Sequence, residues 1–393
     1  MDALPGIIIL LIVAKVAGEL FEYTGYPALI GEILAGIIAG PSVFNLIQMT
    51  PVIQFISLIG VILLLFITGI EINQKLFRSA TERIIVTGLS ATIIPLAFGI
   101  VLGYLLFLTP QETLFMGIMF CLTSIGISVR TLFEVRQLNS DFGMTIVGGA
   151  VVCAIAGIIL FGVLSALHVD GNITPYSIIF PVVVAILFIA FISTAGKTVF
   201  QFIMSRVNAL NNHALSYAAA FVIACGAAYI SQLLGLTYVV GAFFAGIALN
   251  DSIHKDHDLH ESLHSSAFGI FITLFFASVG LLITMPLAEV ITPIALPIIG
   301  IAVLGKIIGG FIGSFPYLKD RASSLLVGIG MIPRGDLILA LAQSALLMGI
   351  VSQQLYATTI TLVVVTVLIT PLLMKIALDR FQTDVSRQDR ADQ

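Results

Sequence analysis

Four basic residues fall inside long apolar runs of this 393-residue chain: Lys15, Arg130, Lys306 and Arg334. A charge at membrane depth is costly and usually marks an ion or proton pathway, so these positions come first. Arg334 and Asp336 flank Gly335 in IPRGD (332–336), where either could supply charge to a site, form a local pair or cap a helix. Thr123 and Ser124 make LTSIGIS (122–128) polar and glycine-containing at membrane depth. That is the composition of an interrupted helix whose freed backbone groups line a cavity, or of hydroxyls bonding within their own helix. Arg130 and Glu134, like Lys15 and Glu19, are four apart, the spacing of a helical salt bridge. In HKDHDLHESLH (254–264), His254, His257, His260 and His264 follow one another at spacings of three, three and four. On a helix they share a face, as a cytoplasmic metal or pH sensor would require; otherwise the loop is a solvated acidic connector.

The elements that hold these residues follow from composition. With 59% hydrophobic residues, 10% charged residues and a mean hydropathy of +1.13, the chain is an integral membrane protein. Its apolar runs reach about 20 residues, enough to cross a hydrocarbon core as helices, and the alternation of a membrane barrel is absent. The first run carries Lys15, Glu19 and Glu22 and has no small-residue cleavage site, so it is expected to stay in the mature chain. Cys121, Cys153 and Cys225 lie in apolar runs at spacings that suit neither disulfides nor a metal. A net charge of −4 gives no reason to expect a nucleic-acid partner. No cofactor is expected, nor is an enzyme.

Helices are predicted at 5–23, 27–43, 52–71, 83–108, 111–134, 142–166, 174–205, 212–234, 238–250, 260–286, 289–314, 320–349 and 353–378, thirteen in all. Of the 17 basic residues, thirteen lie at or beyond helix ends on one side, from Lys75, Arg78 and Arg83 through to Arg387 and Arg390. Cytoplasmic loops retain Lys and Arg, which puts the N-terminus outside and the C-terminus inside.

GEILAGIIAG (31–40) returns as GAFFAGIALN (241–250), and LLFITGIEI (64–72) as LFFASVGLLI (274–283), at an offset of 210 or 211. The copies begin at the second and ninth helices, seven crossings apart, so they face opposite ways. An inverted repeat is the architecture of secondary transporters with a midplane site. The same offset carries LTSIGIS onto IPRGD, where Pro333 must break the twelfth helix. Two breaks in equivalent positions mark the expected transport site.

Taken together, GEILAGIIAGPS (31–42), LLLFITGIE (63–71), LTSIGIS, FFASVGL (275–281), GKIIGG (305–310), GMIPRGD (330–336) and LVVVTVLITPLL (362–373) resemble the second family of monovalent cation/proton antiporters, the Kef-type and NapA-like sodium or potassium/proton exchangers. The resemblance implies an all-α fold of thirteen transmembrane helices with two crossing broken helices. It also implies scaffold helices at 1–82 and 211–287, core helices at 83–166 and 288–378, a linker helix at 167–210 and a short cytoplasmic tail at 379–393. A homodimer in the prokaryotic plasma membrane, working as an elevator that exchanges a monovalent cation for protons, goes with that fold.

In the family the sixth helix carries an acidic pair, or an amide and an acid, that binds the transported ion; here those positions are Cys153 and Ala154. A desolvated Na⁺ or K⁺ needs oxygen ligands and a countercharge, which a thiol and a methyl group do not provide. Lys306 matches the lysine that in electrogenic relatives pairs with the first acid. It could itself exchange a proton, hold an anion or bond carbonyls freed at the break. Three readings stand: a cation/proton exchanger, the same fold carrying another solute such as an anion, and an exchanger disabled by substitution at 153 and 154. By the same resemblance Glu32 and Glu71 belong near cytoplasmic helix ends.

Overall fold

A computed structural model describes residues 3–24, 26–170, 175–210, 212–282 and 295–391. The helices are α1 (Ala3–Tyr23), α2 (Ala28–Ala39), α3 (Pro51–Glu71), α4 (Gln74–Ser79), α5 (Thr81–Leu105), α6 (Pro110–Cys121), α7 (Ile125–Glu134) and α8 (Asp141–Asp170). There follow α9 (Pro175–Phe191), α10 (Lys197–Asn208), α11 (His213–Leu233), α12 (Tyr238–Ile253), α13 (His257–Ser266) and α14 (Ile272–Leu281). The chain closes with α15 (Ala295–Leu318), α16 (Arg321–Gly330), α17 (Asp336–Leu347) and α18 (Gln353–Ala391). Single π-helical turns, Ile192–Gly196 and Ala267–Phe271, join α9 to α10 and α13 to α14. No strand occurs among the described residues. Ten helices among them are long and apolar enough to cross a membrane, and Ala28–Ala39, Tyr238–Ile253 and Leu337–Leu346 are shorter apolar helices.

Helix starts follow from local chemistry. Thr50 caps α3 ahead of Pro51, and Thr109 and Glu112 close a reciprocal capping box ahead of α6. Asn212, Asp256 and Asp320 cap α11, α13 and α16. Two expectations about boundaries change. The last helix does not stop near 378 but runs to Ala391, so the expected tail continues α18. The span expected at 260–286 is described to Leu281, and its remainder from 283 lies outside the described residues, as does the start of the span expected at 289.

The chain divides into two compact units. One comprises Met1–Thr24, Gly31–Phe77 and Asn172–Pro286, which takes in the segment expected as a linker from 172 onward. Its apolar centre gathers Leu10 and Ala14 of α1, Ala35 and Ala39 of α2, and Leu274, Ala277 and Leu281 of α14. Small residues let its backbones touch, the usual way helices associate without a hydrophobic driving force in lipid. A Cβ on Gly31 would lie 2.3 Å from the Ala17 carbonyl oxygen, and one on Gly241 would lie 2.2 Å from that of Ala227. Likewise Gly36 meets the carbonyl of Ala277, and Gly246 that of Phe66. The same contacts thus recur at the sequence offset.

The other unit comprises Gly25–Ile30, Arg78–Gly171 and Leu287–Gln393. Here α5 packs against α6, α8 and α15, and α15 against α16. Gly99 approaches the Gly117 backbone as Gly310 approaches Gly328, again 211 residues on.

Candidate functional site

Two helices of the second unit are interrupted where the sequence predicts. Between α6 and α7, Leu122 and Ser124 are extended; between α16 and α17 the break runs from Met331 to Gly335, around Pro333. The breaks meet. The Ser124 amide donates to the Pro333 carbonyl at 2.7 Å, Thr123 Oγ1 to the Met331 carbonyl at 3.0 Å and Ser128 Oγ to the Gly330 carbonyl at 2.7 Å. The crossing is tight at Gly335, where a Cβ would lie 2.4 Å from Ser124 Oγ and 2.9 Å from its Cβ.

An interrupted helix leaves carbonyls without their usual amide partners, and buried carbonyls must find others. Because the Ser124 amide has turned to Pro333, the Phe120 carbonyl is freed; Arg334 Nη2 takes it at 2.6 Å. The guanidinium also reaches the carbonyls of Ile332 and, at 3.4 Å, Ala302, while its Nε has no partner. The Arg334 amide donates to Thr366 Oγ1 at 3.2 Å. Lys306 does the same work on α6 and α5. Its Nζ donates to the carbonyl of Cys121, the last residue of α6, at 2.5 Å and to that of Ala91 at 2.8 Å. The Ala91 carbonyl would ordinarily accept from residue 95, but Pro95, inside α5, has no N–H to give. Both cations are fully buried, at 0% exposure, beside the negative end of the α6 dipole.

Cys153 and Ala154 on α8 are also buried at this crossing. Cys153 Sγ lies 3.5 Å from Lys306 Nζ, 3.4 Å from Thr92 Oγ1 and 3.4 Å from the Gly88 carbonyl. Asp336 opens α17, and its side chain is outside the described set. Thr123, Ser124, Cys153, Lys306 and Arg334 therefore converge on one locus. That locus offers hydroxyls, backbone carbonyls, a thiol and two basic side chains, and none of the described partners of Lys306 or Arg334 is a carboxylate. Pro95 leaves the Ala91 carbonyl open, and Lys306, which takes it, comes from 215 residues away, a separation that no sequence spacing signals.

The remaining candidates make other contacts. Arg130 pairs with Glu134 at 2.8 Å, as their spacing predicts. Lys15 does not pair with Glu19; it donates to the Phe268 carbonyl in the π turn at 2.9 Å, and an exposed pair with Glu19 would have added little. Glu32 is buried rather than interfacial, and accepts from Thr273 Oγ1 at 2.9 Å.

The histidines divide. His254 sits at the end of α12, before the cap of α13, so its spacing to His257 is not helical. His260 Nε2 approaches Glu71 Oε1 at 2.5 Å, and the rings of His254 and His264 lie 5.3 and 6.1 Å from that of His260. His257 instead has Nδ1 3.8 Å from Glu261. Glu71 joins the cluster from 189 residues away, a separation that no local spacing signals.

Residues 7–379 match the family described as sodium/hydrogen exchanger, transmembrane. The chain is 30% identical to GerN of Bacillus cereus, named a Na⁺/H⁺-K⁺ antiporter, over 94% of each chain. It is 29% identical to a Na⁺/H⁺ antiporter of Enterococcus hirae over 94% of this chain and 97% of that one. In fold it resembles the solved structure of MjNhaP1, a sodium proton antiporter from Methanocaldococcus jannaschii, with a TM-score of 0.69 at 16% identity over 96% and 98% of the two chains. This all-helical, multi-pass chain belongs to the sodium/hydrogen exchanger family, whose members are membrane transporters and not enzymes.

Proposed function

We propose that the protein is a secondary active antiporter of the cell membrane that exchanges Na⁺ or K⁺ for protons, with the crossing of the two helix breaks as its transport site. The observation that carries this reading is the Ser124–Pro333 bond at 2.7 Å, which joins two interrupted helices in equivalent positions of a repeated chain. The names of the two bacterial relatives support the choice of ions. The recurrence of the Gly31–Ala17 contact as Gly241–Ala227 supports an inverted repeat.

With the ten long and three shorter apolar helices as a guide, the reading takes thirteen crossings, the N-terminus outside and the C-terminus inside. Helices of the second unit form the core, those of the first the scaffold of a homodimer, and the core carries its ion as an elevator. Thr123, Ser124 and freed carbonyls supply oxygen ligands, and Lys306 is the group that exchanges a proton, with Arg334, Asp336, Cys153 and Ala154 completing the site.

A second reading rests on Lys306 and Arg334, two buried cations without a described carboxylate partner. The same fold would then carry an anion, or be an exchanger stilled at Cys153 and Ala154. Proton flux in proteoliposomes separates these readings. Pulses of Na⁺, K⁺ or Li⁺ move protons if the first reading holds; a response to anions alone, with none to any cation, would overturn it.

A further inference from the structure

Glu71, His254 and His260 come from three different places in the first unit: the last residue of α3, the end of α12 and the first turns of α13. One ligand atom from each lies within 4.8 Å of the other two. We infer that these three residues form a binding site for a divalent transition-metal ion of the Zn²⁺ type, a site separate from the helix crossing and independent of what the transporter carries.

The donor set decides the ion. Two imidazoles and one carboxylate suit Zn²⁺ and its borderline neighbours, whereas Mg²⁺ and Ca²⁺ prefer oxygen alone. With metal–ligand bonds of about 2.0–2.1 Å in a tetrahedron, ligand atoms sit about 3.3 Å apart. The His260–Glu71 pair, at 2.5 Å, then opens by roughly 0.8 Å to admit the ion, and the wider separations close by at most about 1.5 Å. Side-chain rotation is enough for both.

The surroundings orient the ligands. His254 Nδ1 lies 3.1 Å from the Asn250 carbonyl; donation there leaves the lone pair of Nε2 for the metal. The Asn250 amide in turn donates to the carbonyls of Ile70 and, at 3.1 Å, Ile72, which fixes the end of α12 against the end of α3. His264 stacks on Phe268 at 4.3 Å and stays outside the ligand set, as does His257 beside Glu261. Glu71 and His260 are half-buried and His254 is exposed, so the fourth position is open to water and the ion exchanges with solvent.

The test uses untagged full-length protein in detergent, titrated calorimetrically with Zn²⁺ and, in parallel, Mg²⁺. One Zn²⁺ per chain is expected, with no Mg²⁺ binding. Affinity should fall by at least about tenfold in Glu71→Gln and in His260→Ala and stay unchanged in His257→Ala. Zn²⁺ should raise the melting temperature of the native chain and of His257→Ala but not of Glu71→Gln. If His260→Ala fails to fold, Glu71→Gln and His254→Ala carry the comparison. Absence of saturable Zn²⁺ binding, equal binding of Mg²⁺, or affinity indifferent to Glu71→Gln and His254→Ala would overturn the site.

Discussion

Replacing Lys306 with methionine separates what this buried cation does for the fold from what it does for transport. In the native protein its ammonium is fully desolvated, a cost of several kcal/mol, and it returns hydrogen bonds to two carbonyls that have no amide partner, those of Ala91 and Cys121. A methionine of similar length fills the space and abolishes the desolvation cost, but leaves both carbonyls unpaired at about 1–3 kcal/mol each. The two terms oppose each other at similar size, so stability should change by no more than about 2 kcal/mol in either direction. Transport should not be spared: if Lys306 exchanges the proton, cation-driven proton flux falls at least about tenfold while the protein still elutes as a folded species. Melting curves by intrinsic tyrosine fluorescence and flux in proteoliposomes read the two quantities on one preparation. A Lys306→Met chain that transports at the native rate, or one that loses folded protein altogether, would refute this reasoning; the second result would make Lys306 a structural cap on α5 and α6.

Other consequences can be checked alongside. Gly36→Val should prevent proper assembly of the first unit, because its Cβ would lie 1.9 Å from the Ala277 carbonyl oxygen, a backbone atom that cannot step aside; a yield and melting temperature equal to native would contradict the close approach. Ser128→Ala removes the donor to the Gly330 carbonyl and should destabilise by about 1–3 kcal/mol, visible as a lower melting temperature. Asp320→Ala should loosen α16 by about 1 kcal/mol at neutral pH. Hydrogen bonds from the Ser323 side chain and amide hold the Asp320 carboxyl below the usual carboxylate range, so the cap contributes above the ordinary carboxylate value and is lost as the pH falls through the lower folded one. The melting-temperature gap between native and Asp320→Ala protein should therefore narrow only in that acid range.

Much of the architecture is local chemistry and was legible. Thr50-Pro51, Thr109-Pro110 and Asn212 announce their helices, and Pro333 must interrupt one. The offset of 210 then carried the polar, glycine-containing stretch after Leu122 onto the break at Pro333, since equivalent halves repeat their irregularities. What stayed hidden depends on contacts between distant residues. That Glu32 is buried against Thr273, 241 residues away, cannot be told from its place in a helix-end motif. Nor could spacing show that His260 turns to Glu71 while His257 turns to Glu261. Lys306 is the instructive case: its type and depth marked it as functional, and only the structure joins it to the carbonyl that Pro95 leaves open.

The most direct test of the central claim is to restore an acid at the crossing. Native protein and Ala154→Asp, reconstituted side by side in proteoliposomes with a pH-sensitive dye, are given Na⁺, K⁺ and Li⁺ pulses from mildly acidic to mildly alkaline pH. If the crossing of the two breaks is a cation/proton exchange site, the native chain moves protons in response to Na⁺ or K⁺ and the added carboxylate beside Cys153 strengthens that response. Silence of both chains toward every cation would contradict the account.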